Sequence, residues 1–192
     1  MPIAAPAAPL LKVAKATIDD LERVKEKAEL IRGRIVYYKA TGFLPNIVGG
    51  RIFRKLADHI DEQGFGFAFT DMMGFAVPEL SSGRESFSPD VSYYSGPAPA
   101  KPMKFVRAAP DFAVEVRSEG DYGPAAEREM EDKRADYFEA GTKVVWDVDL
   151  EAKLIRSFVA GTAESIVFVL GEDAHAEPVL PGWRLATANL FR

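Results

Sequence analysis

The chain has 192 residues, a formal net charge of −5, 47% hydrophobic and 28% charged residues, and no cysteine. That length can bury a full core without disulfides or a structural metal, and the lack of cysteine excludes thiolate zinc sites and cysteine nucleophiles while fitting a reducing compartment. No apolar run approaches the roughly 18 residues of a membrane span, and the acidic balance supplies no global basic field for nucleic acid, so such a partner needs a local basic patch or a bound metal.

The opening MPIAAPAAPLLKVAK is rich in Ala and Pro, with its lysines after the apolar part, the reverse of a signal peptide. Residues 1–16 are therefore expected as a flexible arm of a cytoplasmic protein, followed by one domain over 17–192. Thr17 before IDDLERVKEK predicts an N-capped short helix, with Asp19 and Asp20 in its first turn. AELIRGRIVYY reads as two short strands around an Arg-Gly turn. From Pro45 to Gly64, Ile52, Leu56 and Ile60 fall four apart and predict a helix with one apolar stripe, stopped by Gly64.

From Phe65 to Tyr94 the pattern changes to short β-like pieces, FGFAFT, FAVPEL and DVSYYS, and SGPAPAKP is a loop. DFAVEVRS reads as a strand, and a helix follows from Pro124 to Ala140, stopped by Gly141. KVVWDVD, KLIRSFVA and SIVFVL are further strands, and VLPGWRLATANLF closes the chain with apolar anchors. The expected fold class is α+β (α/β-like), a sheet with two long helices and no internal repeat.

Four charged residues break the local patterns. In the strand from Phe112, Glu115 shares a face with Ala113 and Arg117, opposite Phe112, Val114 and Val116; a polar outer face is the plain explanation. Asp90 follows Pro89, where an aspartate is a common turn residue. Lys133 falls in one narrow arc with Ala126, Met130, Tyr137 and Ala140 at 100° per residue, so it lies on the packing stripe, as a snorkelling lysine at the stripe's edge also would. Glu29 sits in the first strand of the hairpin. Together they make three carboxylates and a lysine, the set that offers hard oxygen ligands to Mg²⁺ and a cation for the charge building on a phosphate.

The order PDV (Asp90), PDFAVEVRS (Glu115) and EDKRADYFEAGTKVVWDVD (Lys133, Tyr137, Gly141, Trp146, Asp149) resembles the Uma-two family of restriction-endonuclease-like proteins, within the PD-(D/E)XK nuclease superfamily. AELIRGRIV, PGWRL and NLF extend the resemblance over about residues 17 to 192. It implies a restriction-endonuclease-like mixed sheet flanked by helices and a Mg²⁺- or Mn²⁺-dependent endonuclease acting on nucleic acid, with DNA expected before RNA. Asp90 and Glu115 are then the metal ligands, Glu29 an outer ligand or water-orienting group, and Lys133 the group that positions the nucleophile or stabilises charge. The superfamily's lysine usually lies two residues after the glutamate; here that place holds Arg117, which cannot give up a proton and is expected to hold phosphate or pair with a carboxylate. Many members carry a histidine where this chain has Asn46, which cannot titrate near neutrality. A homodimer is compatible with the resemblance. The alternative is a catalytically inactive interaction protein or mobile-element remnant on the same fold.

Overall fold

The computed structural model describes residues 14–192. Of the arm expected over residues 1–16, only 14–16 are described; they form no helix or strand, and the Ala16 N–H donates to the Gly33 carbonyl at 2.9 Å.

Helix α1 (Ile18–Leu21) starts at a Thr17–Asp20 capping box and is shorter than its sequence suggests. Leu21 is its one buried residue, and the stretch beyond is tied to the body without a helix, by Val24 packing on the Leu21–Leu30 cluster and by Glu22 accepting from the Phe105 N–H. Strands β1 (Ala28–Ile31) and β2 (Arg34–Tyr37) form the expected hairpin. Its turn residues Arg32 and Gly33 both have left-handed backbones, φ 53° and 67°, which is the geometry of a two-residue turn that matches strand twist. Helix α2 (Phe43–Gln63) begins two residues before Pro45 and ends on Gly64 in the left-handed conformation. Its stripe of Val48, Ile52, Leu56 and Ile60 is buried.

Strands β3 (Phe67–Thr70), β6 (Val91–Tyr94), β7 (Phe112–Val116), β8 (Val144–Asp149), β9 (Leu154–Val159) and β10 (Ile166–Val169) build a six-stranded sheet in the order β10-β9-β8-β7-β6-β3. β7 and β8 are parallel and the other pairings antiparallel. The parallel pair is required by helix α3 (Pro124–Glu139), which carries the chain from the end of β7 back to the start of β8. The sheet is therefore mixed and flanked by helices, the α+β class that the sequence predicts.

Both sheet faces are covered, which is why β8 is buried at every residue. On one face Phe112, Val114, Val116 and Trp146 pack with the α2 stripe and with Trp183, Leu185 and Leu190 of the C-terminal segment. There β12 (Leu185–Ala186) and α4 (Thr187–Leu190) carry apolar anchors read from the tail, and β11 (Asp173–Ala174) pairs with β12. Trp183 stacks on Trp146 and donates its indole N–H to the Lys55 carbonyl, tying the C-terminal segment to α2. On the other face Ala113 and Val145 pack with Tyr137 of α3 and with Phe75 and Phe87 of a small pair, β4 (Phe75–Ala76) and β5 (Ser86–Phe87). The β1–β2 hairpin lies beside β5: the Glu85 N–H donates to the Leu30 carbonyl, and the Leu30 N–H donates to Ser86 Oγ. Tyr93 is buried in the core, so the Tyr93–Tyr94 pair packs inward.

Candidate active site

Asp90 directly precedes β6, where its N–H donates to the Val114 carbonyl. The antiparallel register places Val91 across from Val114, so Asp90 and Glu115 stand opposite each other on neighbouring strands. The Asp90 carboxylate is aimed by the backbone: Oδ2 accepts the Val116 N–H at 2.8 Å. Oδ1 accepts from the Lys27 ammonium at 2.7 Å, and the same ammonium lies 2.6 Å from Asp71.

Glu115 projects to the α3 side of the sheet, with Ala113. Its Oε1 accepts from the Tyr137 hydroxyl at 2.6 Å and lies 2.8 Å from Lys133 Nζ. Lys133 thus points inward from α3, one turn before Tyr137, and its Nζ also lies 3.4 Å from Glu29. The ring of Tyr137 is itself fixed by stacking on Phe87 at 4.1 Å between centroids.

Glu29 has no exposed surface. One carboxylate oxygen accepts from the Ser88 N–H at 3.0 Å, the other from the Tyr38 hydroxyl at 2.7 Å and from the Arg84 guanidinium. Arg84 also donates to Asp136 of α3 at 2.8 Å. A buried glutamate this well supplied is held ionised. Burial favours its neutral form, but the Lys133 and Arg84 charges, with the Tyr38 and Ser88 hydrogen bonds, bring its pKa down to about 2.

The remaining groups are tuned against each other. Burial pushes the Glu115 carboxyl above its usual range, and Asp90 and Glu29 add to this against the pull of Lys133 and Lys27. Burial works against the charge of Lys133, yet Glu115 and Glu29 outweigh it and keep the ammonium protonated far above neutrality. Burial and the neighbouring Glu29 push the Tyr38 hydroxyl up to about 12. Lys133 can therefore act as a fixed charge and hydrogen-bond donor, whereas proton acceptance is closed to it at neutral pH.

Beside Asp71 and Asp90 a cleft of about 250 Å³ opens towards α2, lined in part by Asn46, Gly49, Gly50 and Thr70. Asn46 thus lies within α2 and faces the cleft as a neutral amide. Arg117 stands apart. It binds Asp147 through two hydrogen bonds of 2.7 and 2.6 Å, bridges to Glu127 of α3, and is almost fully buried. Of its two expected partners, a phosphate or a carboxylate, it has the carboxylate. His175 packs edge-on against Phe168, away from these groups.

Sequence reading missed Lys27, Tyr38, Asp71 and Arg84. Lys27 carried a signal: it has the parity of Glu29, so extending β1 back by one residue places both side chains on one face. Arg84 and Asp71 lie in loops, where no periodicity marks direction.

Among the described residues no group of three or more acidic, histidine or cysteine side chains is arranged to hold a metal ion. A divalent ion nevertheless fits the donor set. Asp90 and Glu115 are paired carboxylates, and Mg²⁺ binds through one or two of these and completes its shell with water and phosphate oxygens. Asp90 already accepts from one cation, the Lys27 ammonium. The linked ion pairs are also unbalanced: Asp71, Asp90, Glu29, Glu115 and Asp136 face Lys27, Lys133 and Arg84, an excess of negative charge that a divalent ion would offset.

Comparison with known proteins agrees with this architecture. The model of the Uma2 family, described as "Putative restriction endonuclease", matches residues 16–188. Among solved structures the chain is similar to a "putative nuclease belonging to DUF820" from Anabaena variabilis, with a TM-score of 0.72 and 17% sequence identity over 91% of this chain and 97% of that one. At that identity the likeness is one of fold. No curated protein matches.

Proposed function

Because the chain belongs to the Uma2 family, we propose that it is a metal-dependent endonuclease that hydrolyses nucleic-acid phosphodiester bonds, with DNA as the substrate expected first. The observation that carries the reading is the convergence of Asp90, Glu115 and Lys133 from two adjacent strands and the following helix, with Lys133 Nζ 2.8 Å from Glu115. Asp90 and Glu115 would hold Mg²⁺ or Mn²⁺. Bound there, the ion supplies charge neutralisation on the scissile phosphate and a more acidic water.

The chain's own groups do the remaining work. Asp90 is oriented by the Val116 N–H before anything binds, so no reorganisation is needed at that oxygen. Lys133 presents hydrogen-bond donors beside Glu115, where it orients a water and stabilises charge on the phosphate. Glu29 has both oxygens occupied inside the protein, so in this reading it acts as a positioning residue through Lys133 and does not meet the ion. Tyr137 also holds Glu115, donating to the same oxygen that faces Lys133. Arg117, committed to Asp147 and Glu127, braces α3 against β8.

The test is incubation of the purified protein with supercoiled plasmid, with single-stranded DNA and with RNA, in Mg²⁺ or Mn²⁺, beside D90A, E115A and K133M. Cleavage by the wild type, lost by at least a hundredfold in D90A and E115A and on adding EDTA, is the expected outcome. Cleavage that survives both carboxylate substitutions overturns the site. No cleavage of DNA or RNA by a folded wild type overturns the activity and leaves an interaction protein on this fold.

A further inference from the structure

Lys27 stands immediately before β1, with its ammonium between Asp71 and Asp90 at 2.6 and 2.7 Å. Only 16% of its side chain is exposed. The oxygen it occupies is specific. Asp90 Oδ2 already accepts the Val116 N–H, so Oδ1 is the oxygen turned away from the backbone, and that is the one Lys27 holds. Across the strands, Glu115 Oε1 is engaged by Lys133 and Tyr137, and the charge of Lys27 reaches Glu115 as well. Lys27 and Lys133 thus divide the carboxylate pair between them, one cation on each acid. Asp71 gives the Lys27 ammonium a second holder on the wall of the cleft, 38% exposed and on the side from which an ion would arrive.

We propose that Lys27 is the resident counter-cation of the Asp90–Glu115 carboxylates, and that a divalent ion binds by displacing its ammonium from Asp90 Oδ1 while Asp71 retains it. This rests on reading Asp90 and Glu115 as metal ligands. The exchange keeps two carboxylates from facing each other uncompensated before the ion arrives. It also sets the ion's affinity, because each binding event breaks a charge-assisted hydrogen bond. After the exchange the ammonium remains beside the cleft, where a phosphate enters.

The inference is tested by Mn²⁺ binding, read as free Mn²⁺ by electron paramagnetic resonance, for the wild type, K27M, D71N, the K27M/D71N double variant, D90N and K27M/D90N. Loss of the competing charge-assisted bond should tighten Mn²⁺ binding in K27M about tenfold or more. D71N, which leaves Lys27 only Asp90 to hold, should weaken it. In the double variant the effect of D71N should vanish, which a direct Asp71 ligand would not allow. Far-UV circular dichroism verifies folding, and K27Q replaces K27M if the latter does not fold. A second readout uses the wild type alone: labelling of the Lys27 amine by acetic anhydride, followed by mass spectrometry, should rise several-fold in saturating Mg²⁺. Equal Mn²⁺ affinity in wild type and K27M, with D90N abolishing binding in both, overturns the role of Lys27 and leaves the metal site standing. Absence of D90N-sensitive binding in both overturns the metal reading itself. Labelling that stays unchanged while the ion binds overturns the displacement.

Discussion

Glu29 shows most directly how one residue's environment sets its chemistry. A fully buried carboxylate would ordinarily take up a proton, but two cations and two hydrogen-bond donors hold it ionised, with a pKa of about 2. Since the folded value lies below the unfolded one, the stability Glu29 contributes is fully present above about pH 4.5 and is lost as the pH falls through about 2. The shift corresponds to on the order of 3 kcal/mol. E29Q should lower stability at pH 7 by about that amount, because Lys133 and Arg84 then lose a buried counter-charge. It should also flatten the acid limb. Urea denaturation of wild type and E29Q at pH 7, 4 and 3 checks both: the difference between them should shrink with each step down. A difference that stays constant with pH would mean that the carboxylate's charge is not what Glu29 contributes.

Among the elements, α2 carries an apparent contradiction. It is a 21-residue helix with a buried apolar stripe, yet it has Gly49 and Gly50 in succession in its interior, where each glycine costs about 1 kcal/mol relative to alanine. Nothing lies within 4 Å of a methyl group built on either one. Both line the cleft beside Asp90. G50A should therefore raise stability by about 0.5 to 1 kcal/mol, measured by thermal or urea unfolding. If substrate backbone runs through the cleft, the same methyl group obstructs it, and cleavage should fall while stability rises. A variant more stable and equally active would place the substrate path elsewhere. The helix α3 has the complementary design: its weakly apolar sequence is held to the sheet by Tyr137 and the Arg117–Glu127 pair, and to the loop before β5 by the Arg84–Asp136 pair.

At the scale of the molecule, the net charge of −5 opposes a polyanion at long range. In the proposed reading, DNA recognition is local and rests on an ion that offsets the negative charge of the Asp90–Glu115 region. Fluorescence anisotropy with a labelled duplex should show weak binding in EDTA and at least tenfold tighter binding in Ca²⁺, with D90N losing the gain. Equal affinity with and without the divalent ion would point to a basic surface as the contact. Among the described residues no helix is long and apolar enough to cross a membrane.

Much of the architecture was legible in order along the chain, because period and punctuation are local properties. The spacing of Ile52, Leu56 and Ile60, the Arg-Gly turn, and Pro124 with Gly141 around α3 mark the elements they belong to, and the alternation in FAVEV separates Glu115 from the Val114 face. The arc that put Lys133 on the inner side of α3 is also local geometry, and Nζ does reach Glu115. What remained open was which charges meet. Arg84 comes from a loop 55 positions from Glu29, and Lys27 is 63 positions from Asp90. Those distances are closed by sheet register and by the hairpin's seat beside β5, which no spacing in the sequence encodes. The same holds for Arg117: its strand face was readable, but only the parallel pairing of β7 with β8 brought Asp147 alongside and gave its charge a carboxylate. Residue order is enough to say which residues bear charge and, inside strands and helices, which way each points; their partners are set by packing, because pairing energy depends on distances of a few ångströms that arise only when the elements come together.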